Sequence, residues 1–532
     1  MTRKNSSSFY IFKIALIAAL GGFLMGFDAS VISGVVKFIE PEFELTKLQL
    51  GWAVASLSLT ATFAMMVTGP LSDKFGRKLV LHIAAVVFFV SALGSAFAPD
   101  FLTLVLARML GGFGVGAALI IAPMYIAEIA PANLRGRMVS LNQLNIVLGI
   151  SVAFFTNYMV LQLASLESTW ALTAGFEQWN WRWMLGLEML PAMLYFIGLI
   201  WVPESPRWLV MQRREDEALA VLSRASHSGS ARAELKSIVD ALDEERQRNS
   251  GDDGKSILSK LKTLSQPSMR LVMIVGISIA VLQQITGINA VFFYAPMIFE
   301  LSGLGTDAAF MQAILVGLTN LVFTLVAISL IDRLGRKLLL TIGVSGIAVC
   351  MFCLSYGFGA ATYTLKPETV KWAEVDINRA SLVSIFDVTF DDELAYKAAL
   401  KDLLGDKAAI KHESLLVSSA IDIDQTLILL GIVGFVACFA MSLGPVMWVL
   451  FSELFPNQIR GIAISFVGLI NSGVSFGVQL VFPWEISKLG STLTFSLYGV
   501  FALIGLIIIL KFLPETKGKS LEELSKELVA TP

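Results

Sequence analysis

Long apolar blocks separated by short polar intervals dominate this chain, and the length of each block decides what it is. Twelve segments, near 11–36, 51–70, 79–98, 101–127, 138–163, 183–203, 269–299, 309–331, 338–361, 424–450, 461–482 and 491–513, are apolar over the length needed to cross a bilayer. Such a crossing takes about 20 residues of helix, because only a helix or a closed barrel satisfies its own backbone hydrogen bonds in hydrocarbon. Twelve membrane helices are therefore predicted. The first block runs on through Gly26, Phe27 and Asp28 without a small-residue cleavage site, so it is predicted to be a retained helix and not a signal peptide. Two longer polar stretches remain. Residues 207–265 contain REDEALAVLSRA and ARAELKSIVDALDEERQR, whose helical spacing and charged faces predict short surface helices. Residues 362–423 carry 11 acidic and 7 basic side chains. Within them DVTFDDELAYKAALKDLLGDKAAI reads either as a short amphipathic helix capping the outer mouth or as a solvated insertion without transport function.

Composition narrows the class further. Only 15% of the 532 residues are charged, against about 25% in an average soluble protein. Apolar residues make up 55% and mean hydropathy is +0.72, which excludes a disordered or nucleic-acid-binding chain. A net charge of -2 points to no polyanionic partner. Three cysteines exclude a disulfide framework, and Cys350 and Cys353 fall inside an apolar run as small core side chains. The chain is predicted to be an all-α integral membrane protein. In the short loops, one side carries nine basic residues (Lys74, Arg77, Lys78, Arg135, Arg137, Arg333, Arg336, Lys337, Arg460) and the other three (Lys37, Lys47, Lys488). The positive-inside rule makes the first side cytoplasmic, with both termini inside and 362–423 outside.

An internal repeat organises the blocks. LSDKFGRKLVL at 71–81 recurs as LIDRLGRKLLL at 330–340, and AEIAPANLRG at 127–136 as SELFPNQIRG at 452–461. PESPR at 203–207 has a weaker echo in PETKG at 514–518. Two six-helix halves follow, 1–206 and 269–532, joined by a cytoplasmic helical linker at 207–268, with 362–423 inserted only in the second half. Two similar bundles around an axis are the geometry of a carrier that opens alternately to either side. No filter-like glycine run or ring of like charges suggests a channel. There is no P-loop and no HExxH, and His82, His227 and His412 are scattered, so no enzyme, cofactor or metal site is expected.

The RGR-type loops, PESPR, QQITGINAVFFYAP at 283–296 and PETKG resemble the sugar-porter branch of the major facilitator superfamily, over nearly the whole chain apart from 362–423. GFDASVISG at 26–34, APMYIAE at 122–128 and FAMSLGPVMWVLFSELFP at 439–456 are similar in particular to bacterial D-xylose–proton symporters. The resemblance implies the major facilitator fold and a monosaccharide or related polyol bound near mid-membrane.

Each sugar hydroxyl both donates and accepts, which suits uncharged amides, and an aromatic ring can cover a C–H face. Gln283 and Gln284 lie inside an apolar span, where an unpaired amide costs about 1–3 kcal/mol. Gly287 and Asn289 follow, so the helix is expected to break there. By resemblance, Gln143, Gln283, Gln284, Asn289 and Asn320 are polar sugar contacts, with Trp448 beside them and Asn471 from the penultimate helix. Interhelical hydrogen bonding, or small-residue packing at Asn471, is the alternative for these positions. Gly444 and Pro445 are expected to loosen the helix that carries Trp448. Ile150, Phe293 and Ser472 depart from the xylose-carrier pattern, so a hexose is as credible as a pentose.

Asp28 lies within the first span, where a carboxylate is costly unless paired or protonated. Arg108 stands in the fourth span, and the resemblance places it against Asp28. Such a pair links proton uptake to a conformational cycle, because separation or burial changes the proton affinity of the acid. A purely structural ion pair is the alternative. In the short loops, Asp73, Arg77, Glu128, Arg135, Glu204 and Arg207 in the first half, with Asp332, Arg336, Glu453 and Arg460 in the second, are expected to form bidentate pairs across the bundle interface as a cytoplasmic latch. The resulting expectation is a proton-coupled monosaccharide symporter, acting as a monomer with sugar, proton and lipid bilayer as its partners, in a bacterial inner membrane. A facilitative sugar or inositol uniporter is the alternative, and a non-transporting sugar sensor is a more distant one.

Overall fold

The computed structural model describes residues 2–131, 134–225, 228–251, 264, 266, 269–370, 372, 377–455 and 460–517. Parts of the expected linker and His227 lie outside them. Among the described residues, eleven helices are long and apolar enough to cross a membrane. In the first part of the chain these are α1 (Thr2–Glu42), α2 (Lys47–Phe75), α3 (Arg77–Ala96), α4 (Phe101–Ile129) and α5 (Arg135–Ala164). A short α6 (Thr169–Ala174) precedes α7 (Asn180–Gly186) and α8 (Met189–Ile200), which together make one span.

Three surface helices come next, α9 (Pro206–Met211), α10 (Glu215–Ala225) and α11 (Ser228–Gly251). The span Arg270–Leu301 is split into α12 (Arg270–Ile285) and α13 (Ile288–Leu301). Then come α14 (Thr306–Leu334) and α15 (Arg336–Gly359). Beyond the insertion, α17 (Gln425–Met441) and α18 (Leu443–Leu454) share a span, and α19 (Arg460–Phe512) is the last helix among the described residues. The 53 residues of α19 are interrupted at Gly490, whose φ of 75° and ψ of 166° lie outside any helix. Its two arms, 460–489 and 491–512, are each long enough to cross a bilayer.

The chain forms two compact units. Unit 1 comprises Met1–Ala29, Ser56–Ala153 and Leu185–Thr263, and unit 2 comprises Ser30–Ala55, Phe154–Met184 and Leu264–Pro532. Without a hydrophobic drive between helices in lipid, close backbone contact supplies the attraction, and small residues permit it. In unit 1, α1 and α5 touch through glycines. A Cβ on Gly26 would lie 2.0 Å from the carbonyl oxygen of Ile146, and one on Gly149 would lie 2.1 Å from that of Phe23. Large apolar side chains such as Phe63, Met66, Leu102 and Phe113 point outward, as expected of faces solvated by hydrocarbon.

The insertion at 362–423 is folded. β1 (Thr362–Thr364) pairs antiparallel with β2 (Thr389–Phe390) and with β3 (Ile421–Asp422). A 3-10 turn covers Arg379–Ile385, and α16 (Glu393–Ala420) is kinked at Gly405. A helix, one of the two readings of this segment, is thus present and longer than its sequence signal, whereas strands of two or three residues are too short to leave a periodicity. Tyr363 stacks on Tyr396 at 5.6 Å, and the Tyr396 hydroxyl donates to the carbonyl of Leu416.

Charge ties α16 to the rest of unit 2. Lys397 bridges Glu393 (2.7 Å) and Glu413 (2.8 Å), Glu413 reaches Lys47 (3.5 Å), and Lys47 pairs with Glu40 (2.6 Å). Beside this chain Glu300 pairs with Lys37 (2.5 Å) and accepts from Ser414 (2.8 Å). Burial alone would raise the Glu413 carboxyl, but the Lys397 and Lys47 ammonium groups outweigh it and hold the carboxyl at about 2. Burial opposes the charge on Lys397, yet Glu413 and Glu393 together lift its proton affinity above the ordinary value.

Candidate functional site

In unit 1, α1 carries Asp28 into contact with α4. Nη1 of Arg108 stands 3.3 Å from Oδ1 of Asp28, with the two residues 1% and 2% exposed. A Cβ on Gly111, one turn beyond Arg108, would lie 3.1 Å from Oδ2 of Asp28 and 2.4 Å from Oγ of Ser91, so the glycine makes room for the acid. Oδ2 of Asp28 has no hydrogen-bond partner among the described residues. Glu188, between α7 and α8, is a second buried acid within electrostatic reach of both members of the pair. Its Oε1 also has no hydrogen-bond partner among the described residues. The sequence reading missed Glu188, although an acid inside the apolar block 183–203 was a visible signal.

In unit 2 the expected break falls at Gly287, whose φ of 89° ends α12 and lets α13 start in a new direction. The break brings the amides together. Asn289 donates to Oε1 of Gln284 (2.7 Å) and to Oγ of Ser475 (2.7 Å). Gln284 donates to the side-chain oxygens of Gln283 and Asn471, both at 3.1 Å. Asn471 donates to Gln283 and to the carbonyl of Ala280, both at 2.8 Å, and Gln283 donates to the carbonyl of Leu443 (3.1 Å). Four predicted residues and Ser475 thus form one network of neutral donors and acceptors.

Asn320 is buried on α14, outside this network. Trp448 is half exposed on α18, edge-on to Phe451. The α17–α18 break lies at Ser442. Gly444 and Pro445 follow it, and in an unbroken helix the proline ring would clash with the carbonyl four residues back, at Met441. Gln143 lies exposed on α5, in unit 1.

The repeated loop motifs build two matching clusters, one in each unit. Arg77 forks onto Glu128 with two 3.0 Å bonds and reaches Asp73 at 2.9 Å. Glu204 accepts from the backbone N–H groups of Arg77 and Lys78, capping the start of α3. In unit 2, Arg336 bonds Glu453 (2.8 Å), while Glu515 accepts from the N–H groups of Arg336 and Lys337. Ser205 donates to Glu128 as Thr516 donates to Glu453.

The weak echo between PESPR and PETKG is therefore a conserved role for carboxylate and hydroxyl within the chain, and Glu515 is a cluster member that sequence reasoning passed over. Each of these pairs joins residues of one half, and Glu204 and Glu515 meet the bare N–H groups of an adjacent helix start. Burial raises the Glu204 carboxyl, and the N–H groups of Ser205, Lys78 and Arg77 only partly offset that. Arg135 faces Glu234 of α11, Arg460 donates to the carbonyl of Phe455, and Arg207 is exposed. The side chain of Asp332 lies outside the described residues.

A chain of apolar spans with paired charges at lipid depth and a neutral amide network is a multi-pass membrane transporter. Residues 14–385 and 411–528 match the sugar (and other) transporter family, and the chain belongs to that family, within the major facilitator superfamily. It is therefore a transporter and not an enzyme. It is 32% identical over 526 residues to an arabinose-proton symporter of Bacillus subtilis, covering 99% of this chain and 96% of that protein. It is 33% identical over 558 residues to a D-xylose-proton symporter of Escherichia coli, covering 98% and 96%. Among solved structures, the inward open conformation of the xylose transporter XylE from E. coli matches with a TM-score of 0.72 at 31% identity, over 97% of this chain and 100% of that one.

Proposed function

We propose that this protein is a proton-coupled symporter that imports a monosaccharide, pentose or hexose, by alternating access. The observation that carries the reading is the buried Asp28 with one oxygen on Arg108 and the other without a hydrogen-bond partner among the described residues. Burial and a guanidinium act in opposite directions on the proton affinity of such a carboxyl, so a change in its distance from Arg108 can move a proton. The relatives named as arabinose- and xylose-proton symporters support the same coupling. Gln143, Gln283, Gln284, Asn289, Asn320, Trp448 and Asn471 bind the sugar. The amide network supports this role, since its members trade hydrogen bonds with one another for bonds to sugar hydroxyls. Gly444 lets the helix carrying Trp448 move.

The two halves, 1–206 and 269–532, are six-helix bundles joined by the 207–268 linker, giving twelve helices in a monomer. Both termini face the cytoplasm of a bacterial inner membrane, with 362–423 outside. The clusters around Arg77 and Arg336 latch the inner side. In proteoliposomes, a counterflow panel of xylose, glucose, galactose, arabinose and inositol identifies the substrate, and sugar addition makes the medium alkaline. Asp28→Asn should keep counterflow and lose the alkalinisation. Sugar-driven proton uptake that survives in Asp28→Asn refutes the coupling role.

A further inference from the structure

The break between α12 and α13 is what gathers Gln283, Gln284 and Asn289, and the groups that hold the break stand outside that cluster. Gly287 has a positive φ of 89°, and a Cβ there would lie 2.5 Å from Cδ2 of Tyr498. Tyr498 is 3% exposed and donates its hydroxyl to Oε2 of Glu485 at 2.8 Å. The ring is therefore fixed at both ends. Its edge occupies the notch left by the missing side chain of Gly287, and its hydroxyl is tied to a carboxyl group.

The first arm of α19 connects this bolt to the amide network. Asn471, Ser475, Gln479, Phe482 and Glu485 follow at intervals of three and four residues, so they share one face of the helix. Asn471 and Ser475 bond the amides, and the carbonyl of Gln479 accepts from the Tyr294 hydroxyl at 2.9 Å. Phe482 packs on Tyr294 at 5.1 Å and on Tyr498 at 6.5 Å. Tyr294 is the one non-helical residue inside α13, with φ of -129°. One helix face thus meets the hinge segment 287–294 at successive turns, and Tyr498, from the second arm, locks its glycine.

We infer that Tyr498 and Glu485 are positioning residues that set the angle of the Gly287 hinge and thereby the placing of Asn289 against Gln284 for the sugar. The inference rests on the sugar-carrier reading above for its consequence, but not for the hinge itself. Neither residue needs to touch substrate. A part-buried phenol–carboxyl hydrogen bond is among the stronger kinds, and a glycine hinge has little rigidity of its own.

Tyr498→Phe keeps the ring and removes the bond; Glu485→Gln weakens it from the other side. Both are made in the full chain and measured in two ways. In counterflow with xylose, glucose or arabinose, KM is expected to rise about three- to tenfold, the cost of one such bond. The maximal rate stays within about twofold, and the double variant is no worse than the worse single variant. By hydrogen–deuterium exchange, amides at 286–296 are expected to exchange faster in both variants while those of α15 are unchanged. Unchanged exchange at 286–296 overturns the inference whether or not any sugar moves. An unchanged KM, or additive losses in the double variant, also overturns it. If the wild type exchanges no sugar but the hinge amides loosen in the variants, the sugar reading fails and the hinge assignment stands. Should Tyr498→Phe fail to fold, Glu485→Gln carries the same test.

Discussion

Replacing Glu413 by Gln isolates the charge that ties the insertion to unit 2, because the amide keeps the size and most of the hydrogen bonding. The carboxyl is held at about 2, against an ordinary 4.5, by Lys397 at 2.8 Å and Lys47 at 3.5 Å, and its side chain is 22% exposed. A tenfold change in proton affinity is about 1.4 kcal/mol, so the ionised carboxylate contributes about 3 kcal/mol to folding at neutral pH. Because the folded value is depressed, that contribution is complete above pH 4.5 and is lost as pH falls through 2. At pH 3 roughly three fifths of it is gone. Thermal unfolding in detergent, followed by tryptophan fluorescence, is compared for wild type and Glu413→Gln at pH 7 and pH 3. Other acids titrate in both proteins and cancel in the difference. Glu413→Gln is expected to unfold at lower temperature at pH 7, with the gap less than half as large at pH 3. A gap that is equal at the two pH values, or absent at pH 7, refutes the reasoning.

Asn471→Ala removes the bonds that tie Gln283, Gln284 and the Ala280 carbonyl to α19 and should raise the counterflow KM about tenfold or more, since the amides lose their common anchor; a KM within twofold of wild type would exclude Asn471 from the sugar site. Gly149→Ala forces a methyl to within 2.1 Å of the Phe23 carbonyl oxygen, and it should lower the yield of monodisperse protein on gel filtration far more than Gly473→Ala, which meets nothing within 4 Å. Arg336→Ala leaves Glu453 without its 2.8 Å partner while Glu515 still caps α15, so the inner side should open more often and raise labelling of cytoplasmic-side cysteines by a membrane-impermeant reagent; unchanged labelling counts against a latch.

Much of this protein was legible in its order of residues. Apolar blocks of spanning length imposed helices, since hydrocarbon leaves the backbone no other partner. Gly287 and Pro445 announced two of the interrupted spans, because one favours a left-handed backbone and the other removes an N–H. The duplicated loop motifs marked which acids and arginines recur in the two halves. Asp28 and Gln283 stood out because a polar group at lipid depth needs a reason to be there.

Tertiary structure decided how these parts are used. Whether Arg77 and Arg336 pair within a half or across halves depends on which helix start lies beside Glu204 and Glu515, and local spacing does not carry that information. Glu188 joined Asp28 and Arg108, and Tyr498 reached Gly287, through contacts between residues far apart in the chain. The insertion folded through pairs such as Lys397 with Glu413 and Tyr363 with Tyr396, whose partnership no local pattern specifies. Periodicity reports the solvent each residue faces. It does not name the neighbour, and in a membrane protein the neighbour sets the cost of every buried charge.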